Sequence, residues 1–171
     1  IQKISFSDLL TGLANRRLFE YFLGRELKKM RRTERPVSLL MVDVDYFKTI
    51  NDVYGHLVGD TVLERIGLIL RESVRTVDLP ARFGGEEFAV ILPGASRDQA
   101  VTIAERLRTK VAETRFPAGK GSFNVTVSIG GATCEGGKGA DASGEELIRA
   151  ADQALYQAKQ MGRNITIFTA K

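Results

Sequence analysis

The chain has 171 residues, of which 43% are hydrophobic and 27% are charged. This length and balance predict one globular domain with a buried core and exclude a disordered or fibrous chain. A net charge of +4 mildly favours anionic ligands, and Cys134 as the single cysteine excludes an intrachain disulfide.

Neither a membrane-spanning helix nor a signal peptide is predicted from the sequence. No apolar run approaches the roughly 20 residues of a membrane-spanning helix, and residues 1–8 lack the pattern of a signal peptide. We expect a cytoplasmic domain that makes no membrane contact itself. Because Ile1 is no initiator, we expect an excised domain over residues 1–171, with residues 1–10 as the end of an N-terminal linker; its neighbours could include a sensor or a membrane anchor.

The first elements are predicted from capping and apolar periodicity. Asn15 is an N-cap candidate for a helix whose apolar residues recur at helical spacing up to a basic cluster at 28–32. The nearly continuous apolar run over residues 37–44 predicts a buried central strand that ends at Asp43 and Asp45. Helical spacing returns over residues 59–74.

Two short strands are predicted over residues 83–92, hinged on Gly84 and Gly85, with Glu86 just past the turn. Ser96 and Gln99 form a capping-box pattern before a third helix.

Apolar residues then alternate over 125–129, which indicates a strand, and residues 135–144 form a predicted surface loop. Ser143 begins a last helix closed by Gly162, and residues 164–168 form a last strand.

Four carboxylates carry the first chemical signal. Asp43 and Asp45 end the buried strand, whereas Glu86 and Glu87 follow the glycine hinge. Clustered carboxylates favour Mg²⁺, and a pair of such ions can clamp the oxygens of a phosphoryl transfer. The alternative is that all four are solvated turn residues.

Several sequence blocks resemble those of the GGDEF family of diguanylate cyclases. Residues 84–88 read GGEEF, residues 8–17 read DLLTGLANRR, residues 43–48 read DVDYFK, and residues 127–130 read VSIG. ND at 51–52, GH at 55–56 and ADQALYQAKQMGRN over 151–164 complete the series, in the family's order.

This resemblance implies an α+β, palm-like fold, similar to that of nucleotide polymerases and adenylyl cyclases. A mainly antiparallel central sheet would be flanked by helices, with the signature on a β-hairpin. Asp43, Glu86 and the Val44 carbonyl would hold two Mg²⁺ (or Mn²⁺) ions per active site. Glu87 would assist proton removal or support the site.

The resemblance also implies the residues that bind the substrate GTP. Asn51 and Asp60 would read guanine, whose N1 and 2-amino groups can donate to a carboxylate. The alternative for Asp60 is an N-cap of the helix at 61–74. Backbone N–H groups around Tyr46, Phe47 and Lys48 resemble a phosphate loop.

Lys159 and Arg163 lie four positions apart, which predicts one face at the end of the last helix, where the family grips triphosphate oxygens. The alternative is a pair of cations that only complement the helix dipole.

Residues 75–78 match the RxxD pattern with which many family members bind their own product. Arg75, Asp78 and Arg106 would form this inhibitory cyclic di-GMP site. The alternatives are a helix-end salt bridge for Arg75 and Asp78 and a solvated helical arginine for Arg106. His56 fits a structural turn position, and Cys134 fits a packed small side chain.

The resemblance therefore implies a homodimeric cyclase that condenses two GTP into cyclic di-GMP and releases two pyrophosphates. The main alternative is a catalytically silent cyclic di-GMP receptor. A nucleic-acid polymer is not expected as a partner, because binding one would need basic and aromatic residues gathered on one sheet face, whereas the four Tyr and nine Phe are spread along largely apolar stripes.

Overall fold

A computed structural model describes residues 4–136 and 143–169 as five helices and seven strands. In chain order they are α1 (Arg16–Thr33), β1 (Val37–Val44), α2 (Phe47–Tyr54), α3 (His56–Ser73), β2 (Leu79–Gly84), β3 (Glu87–Pro93), α4 (Arg97–Glu113), β4 (Arg115–Ala118), β5 (Gly121–Asn124), β6 (Val127–Cys134), α5 (Gly144–Gln160) and β7 (Thr166–Phe168). Most of the predicted loop over 135–144 lies outside the described residues.

The main sheet has the strand order β2-β3-β1-β6-β7. The pairs among the first four strands are antiparallel, whereas β7 runs parallel to β6. All eight residues of β1 are buried, which confirms the predicted central strand. The register places Asp43 opposite Glu87 of β3 and opposite Ser128 of β6.

Helices cover both faces of this sheet. Alternate β1 side chains point to opposite faces, and because all of them are buried, both faces need a covering layer. Leu40 and Val42 belong to one apolar cluster with α3 and α4. Leu39 and Met41 belong to a second cluster with α1 and α5. This mainly antiparallel sheet between helices confirms the predicted α+β architecture.

Local capping chemistry explains why the long helices begin where the sequence predicts. The Asn15 side chain accepts from the Leu18 N–H, and Ser96 forms a reciprocal capping box with Gln99. The Ser143 hydroxyl caps α5.

Several predicted boundaries were wrong. The second long helix begins at His56, directly after Gly55, which has φ 91°. Because glycine has no side chain that could cap the helix, the sequence carries no capping signal for this start. The hairpin begins at Leu79, Glu86 lies within its turn, and β7 begins at Thr166.

The short α2 and the β4–β5 hairpin were not predicted. Of the described α2 side chains only Ile50 is buried, so the helix lacks a readable apolar stripe. The hairpin forms a separate two-stranded sheet and supports α2, since Phe123 stacks on Tyr54 with 4.3 Å between ring centroids. Among the described residues, no helix combines the length and apolarity needed to cross a bilayer.

Candidate active site

The end of β1 brings the predicted carboxylates together. Asp43 is only 6% exposed, and the Val44 N–H donates to the Glu86 carbonyl over 3.2 Å, which ties the signature turn to the strand end. Glu87 faces Asp43 across the β1–β3 pair. Asp43, Glu86 and Glu87 therefore lie together where β1 ends and β3 begins.

Burial raises the pKa of Asp43, and the nearby charges of Glu86 and Asp45 act in the same direction. Lys159 opposes this rise, because its Nζ lies 2.6 Å from Asp43 Oδ2. The cluster is thus a set of partly desolvated acids that requires positive charge, and Lys159 supplies some of it.

Glu87 is in a similar environment. Burial is the main cause that raises the pKa of Glu87, and the charges of Asp43 and Asp152 raise it further. Burial also raises the pKa of Asp152 on α5, while Arg16 and Lys159 lower it. Asp152, which the sequence did not single out, therefore extends the acid cluster towards α1.

Asp45 is a different kind of acid, although it stands two positions from Asp43. Its oxygens accept from the hydroxyls of Thr126 and Ser128, each over 2.7 Å, and from the Asn164 N–H over 3.1 Å. These donors occupy the carboxylate, so Asp45 orders the surrounding loops.

The donor set suits a hard divalent cation. Within residues 4–136 and 143–169, no three His, Cys, Asp or Glu side chains converge closely enough to enclose a metal. Asp43 and Glu86 instead offer two carboxylates beside the Val44 backbone. Mg²⁺ prefers such a partial set, because it takes its remaining ligands from water and substrate phosphates.

A backbone turn follows the acid cluster directly. Tyr46 has φ 56° and precedes the first turn of α2, which places the N–H groups of Phe47 and Lys48 at a helix N-terminus. Such groups lack partners within the helix and favour anions. The predicted phosphate loop is therefore the start of α2.

Asn51 and Asp60 lie on the two helices that follow. A Cβ added at Gly59 would collide with the Asn51 amide oxygen, so glycine at this position lets α3 pass close to Asn51. Asp60 comes next on α3 and is exposed. The capping alternative for Asp60 is wrong, because α3 begins four residues earlier at His56.

The expectation that Lys159 and Arg163 share a helical face was also wrong. The helix α5 ends at Gln160, and Arg163 lies beyond it with φ 66°. The Arg163 guanidinium carbon stands 4.7 Å from the centroid of the Tyr46 ring. The loop after α5 thus places Arg163 beside the start of α2, whereas Lys159 contacts Asp43.

Arg75 and Asp78 form a closed ion pair. Arg75 donates from Nη2 to Asp78 Oδ1 over 2.7 Å and from its backbone N–H to Oδ2 over 2.8 Å. The Asp78 side chain is 0% exposed and the Arg75 side chain 39% exposed. They line a cavity of about 320 Å³. Arg106 donates to the Ser73 carbonyl, at the end of α3 just before this pair.

Sequence reasoning missed the residues that hold the signature turn. Arg82 donates to the Gly85 carbonyl from Nε over 3.0 Å and from Nη2 over 2.8 Å. Its Nη1 lies 3.2 Å from Asp8 Oδ1. The positions of Asp8 in the DLLTG block and of Arg82 two residues before GGEEF were the available signals.

The two remaining candidates lack a catalytic environment. His56 begins α3 and is exposed. Cys134 is half-buried at the end of β6, where burial raises the pKa of its thiol. A raised pKa disfavours the reactive thiolate, in agreement with a packing role.

Comparisons with known proteins agree with this geometry. Response regulator PleD from Caulobacter vibrioides is 42% identical over 167 residues, which are 96% of this chain and 36% of PleD, so the chain spans well under half of that relative. The diguanylate cyclase SiaD from Pseudomonas aeruginosa, solved with its activator SiaC, superposes with a TM-score of 0.91 at 36% identity, over 96% of this chain and 62% of SiaD.

The GGDEF domain of DgcB from Caulobacter crescentus, solved with c-di-GMP, gives a TM-score of 0.90 at 30% identity, over 98% of this chain and 95% of that one. The sequence model described as "Diguanylate cyclase, GGDEF domain" matches residues 5–165. This match covers nearly the whole chain and agrees with the signature turn, the acid cluster and the palm-like sheet. It shows that the protein belongs to the GGDEF family of diguanylate cyclase domains.

Proposed function

We propose that this domain condenses two GTP molecules into cyclic di-GMP. The observation that carries the proposal is the acid cluster: buried Asp43 lies beside the Glu86 turn, and α2 begins four positions after Asp43. Anionic metal ligands thereby stand next to a phosphate-binding backbone. The proposal is supported by the similarity to SiaD, which is named as a diguanylate cyclase.

The reaction makes two phosphodiester bonds. The 3′ oxygen of each GTP attacks the α-phosphorus of the other, the bond to pyrophosphate breaks, and each hydroxyl proton leaves to a base. Two Mg²⁺ (or Mn²⁺) ions held by Asp43, Glu86 and the Val44 carbonyl would stabilise the charge that develops on the reacting oxygens. Glu87, whose raised pKa favours proton uptake, is placed to assist proton removal or to support the site.

The chain's other residues bind and orient GTP. The N–H groups of Phe47 and Lys48 and the guanidinium of Arg163 face the triphosphate, and Lys159 can exchange its Asp43 contact for phosphate oxygens. Asn51 and Asp60 hydrogen-bond guanine. The site rejects adenine, because adenine would leave these two side chains without hydrogen-bond partners.

One protomer holds one GTP, so both bonds form only where two half-sites face each other in a homodimer. We place the active domain in the cytoplasm, where its substrate GTP is found. The product also binds at Arg75, with Asp78 and Arg106, and inhibits turnover. Asp78 already accepts hydrogen bonds from Arg75, so in this conformation Arg75 presents the accessible part of the pair.

The test is incubation of the purified chain with GTP and Mg²⁺, followed by chromatography. We expect one cyclic di-GMP for every two pyrophosphates, with specific activity that rises with protein concentration because dimerisation is required. A folded domain that binds cyclic di-GMP but consumes no GTP over a wide concentration range would instead be a receptor and would refute the proposal.

A further inference from the structure

The loop that carries Arg163 has an unusual backbone. Arg163 and Asn164 have φ angles of 66° and 48°, so two consecutive residues other than glycine adopt the left-handed conformation. In L-residues this conformation crowds Cβ against the backbone. Such a pair persists where surrounding contacts determine the conformation.

One of these contacts comes from the sheet. The Asn164 N–H donates to Asp45 Oδ2 over 3.1 Å. Asp45 is 5% exposed and is itself fixed by the hydroxyls of Thr126 and Ser128. The backbone immediately after Arg163 is therefore attached to the rigid centre of the domain.

A second contact comes from α4. Arg108 Nη1 donates to the Asn164 side-chain oxygen over 2.9 Å, and its side chain is 23% exposed. Glu105, one turn earlier, orients this guanidinium through a contact of 2.6 Å between Arg108 Nε and Glu105 Oε2. The Thr166 hydroxyl donates to the same Glu105 oxygen over 3.1 Å. Contacts with Glu105 and Asn164 thus orient the Arg108 guanidinium towards the loop.

We infer that Arg108 is a positioning residue for triphosphate binding. By holding Asn164, it fixes the backbone from which Arg163 extends over the Tyr46 ring, so the guanidinium stands at the start of α2 before GTP arrives. Pre-organisation of this kind lowers the entropic cost of binding without any contact to the ligand. The inference rests on the proposed function, because it takes Arg163 to be a triphosphate ligand.

The alternative role for Arg108 is purely structural, namely to attach α4 to the last strand. Arg97 attaches the same helix to the end of that strand and is therefore the matched control. Arg97 lies on the same helix, donates from Nη1 to the Thr169 carbonyl over 2.8 Å, and stands 5.9 Å from the centroid of the Phe168 ring. It attaches α4 to the far end of β7 and has no described contact with Arg163 or Asn164.

The test is calorimetric titration with Mg²⁺ and a GTP analogue that carries an α,β-methylene bridge, with GMP as the short probe. Arg108→Ala should weaken analogue binding by about tenfold and GMP binding by less than about twofold, since GMP lacks the phosphates that Arg163 would reach. Arg108→Lys should recover part of the loss, and Arg97→Ala should bind both probes like wild type.

A double-mutant cycle completes the test. If Arg108 acts through Arg163, the double variant should bind the analogue no more weakly than Arg163→Ala alone. Additive losses, or wild-type affinity in Arg108→Ala, would overturn the inference, as would a wild-type domain that binds no analogue. A wild-type domain that binds the analogue but makes no product from GTP would refute the proposed function and leave this inference standing.

Discussion

Asp43 and Asp45 stand two positions apart at one strand end, yet their neighbours give them different roles. Asp45 accepts hydrogen bonds from two hydroxyls and one backbone N–H. Asp43 contacts the ammonium of a lysine side chain and lies among further acids. A cation can replace that lysine contact easily, whereas it would have to break three ordered hydrogen bonds to reach Asp45.

Asp43→Asn and Glu86→Gln should each lower the rate of cyclic di-GMP formation by orders of magnitude while the domain stays folded. Each change removes an anionic ligand whose charge stabilisation water does not replace. Initial rates and circular dichroism check this, with exposed Glu113→Gln as the control. Near wild-type rates in either folded variant would remove that residue from the metal site.

Asp60→Ala should weaken GTP binding by about tenfold and narrow the preference for GTP over ATP, because a charged hydrogen bond to guanine is lost. Since Asp60 lies inside α3 and caps nothing, stability should change by less than about 0.5 kcal/mol. Calorimetry and thermal unfolding measure the two effects, and Glu64→Ala, one turn further along α3, is the control. Unchanged GTP affinity would exclude Asp60 as a guanine ligand.

At the scale of elements, the signature turn is attached to the segment before α1. Arg82 binds the Gly85 carbonyl and the Asp8 carboxylate at the same time. Asp8 also accepts from the backbone and hydroxyl of Thr11. Burial by itself would raise the pKa of Asp8, but the Thr11 hydrogen bonds and the Arg82 charge lower it below 3.8.

This lowered pKa predicts a pH-dependent contribution to stability. A carboxylate whose folded pKa lies below its unfolded value stabilises the fold at pH values above the unfolded value, and the effect disappears as pH falls through the folded pKa. Wild type should therefore exceed Asp8→Asn in unfolding free energy at pH 7, and the difference should shrink below pH 3.8. Denaturant titrations at several pH values test this, with exposed Asp52→Asn as the control. A difference independent of pH would contradict the charge argument.

At the scale of the whole molecule, the two proposed sites lie at opposite ends of the sheet. Arg75 donates to the Pro93 carbonyl, and Pro93 pairs with Val37 at the start of β1, whereas Asp43 stands near its end. Val37 and Asp43 are six positions apart, which corresponds to roughly 20 Å along an extended strand. Product bound at Arg75, as proposed, would therefore leave the GTP site free and would act by restraining how two protomers approach.

Arg75→Ala should keep the initial velocity nearly intact but remove the slowing that follows product accumulation, and added cyclic di-GMP should no longer inhibit. A planar guanidinium engages a phosphate or a guanine edge with two hydrogen bonds, which alanine cannot do. Progress curves with and without added product measure this, with exposed Arg65→Ala as the control. Equal curvature in wild type and variant would show that the Arg75 and Asp78 pair is only a salt bridge.

Much of the fold was predictable because its signals are local. Asn15, Ser96 and Ser143 cap helices through residues three positions away, and the apolar run of β1 needs no partner to be recognised. The short α2 and the β4–β5 hairpin escaped because they bury few side chains and depend on contacts such as the Tyr54–Phe123 stack.

The sequence by itself determined the family and the candidate residues, since GGEEF and the blocks around it are strings of neighbours that keep their order and spacing. Only the tertiary structure decided which acid pairs with a lysine and which is occupied by hydroxyl and backbone donors, because the partners come from distant positions. Lys159 lies 116 positions from Asp43, and Ser128 lies 83 positions from Asp45. It also decided that Arg163 leaves the last helix and that Arg108 holds the loop beside it. A contact between segments so far apart depends on how the sheet pairs and how the helices pack, and no local spacing in the chain encodes it.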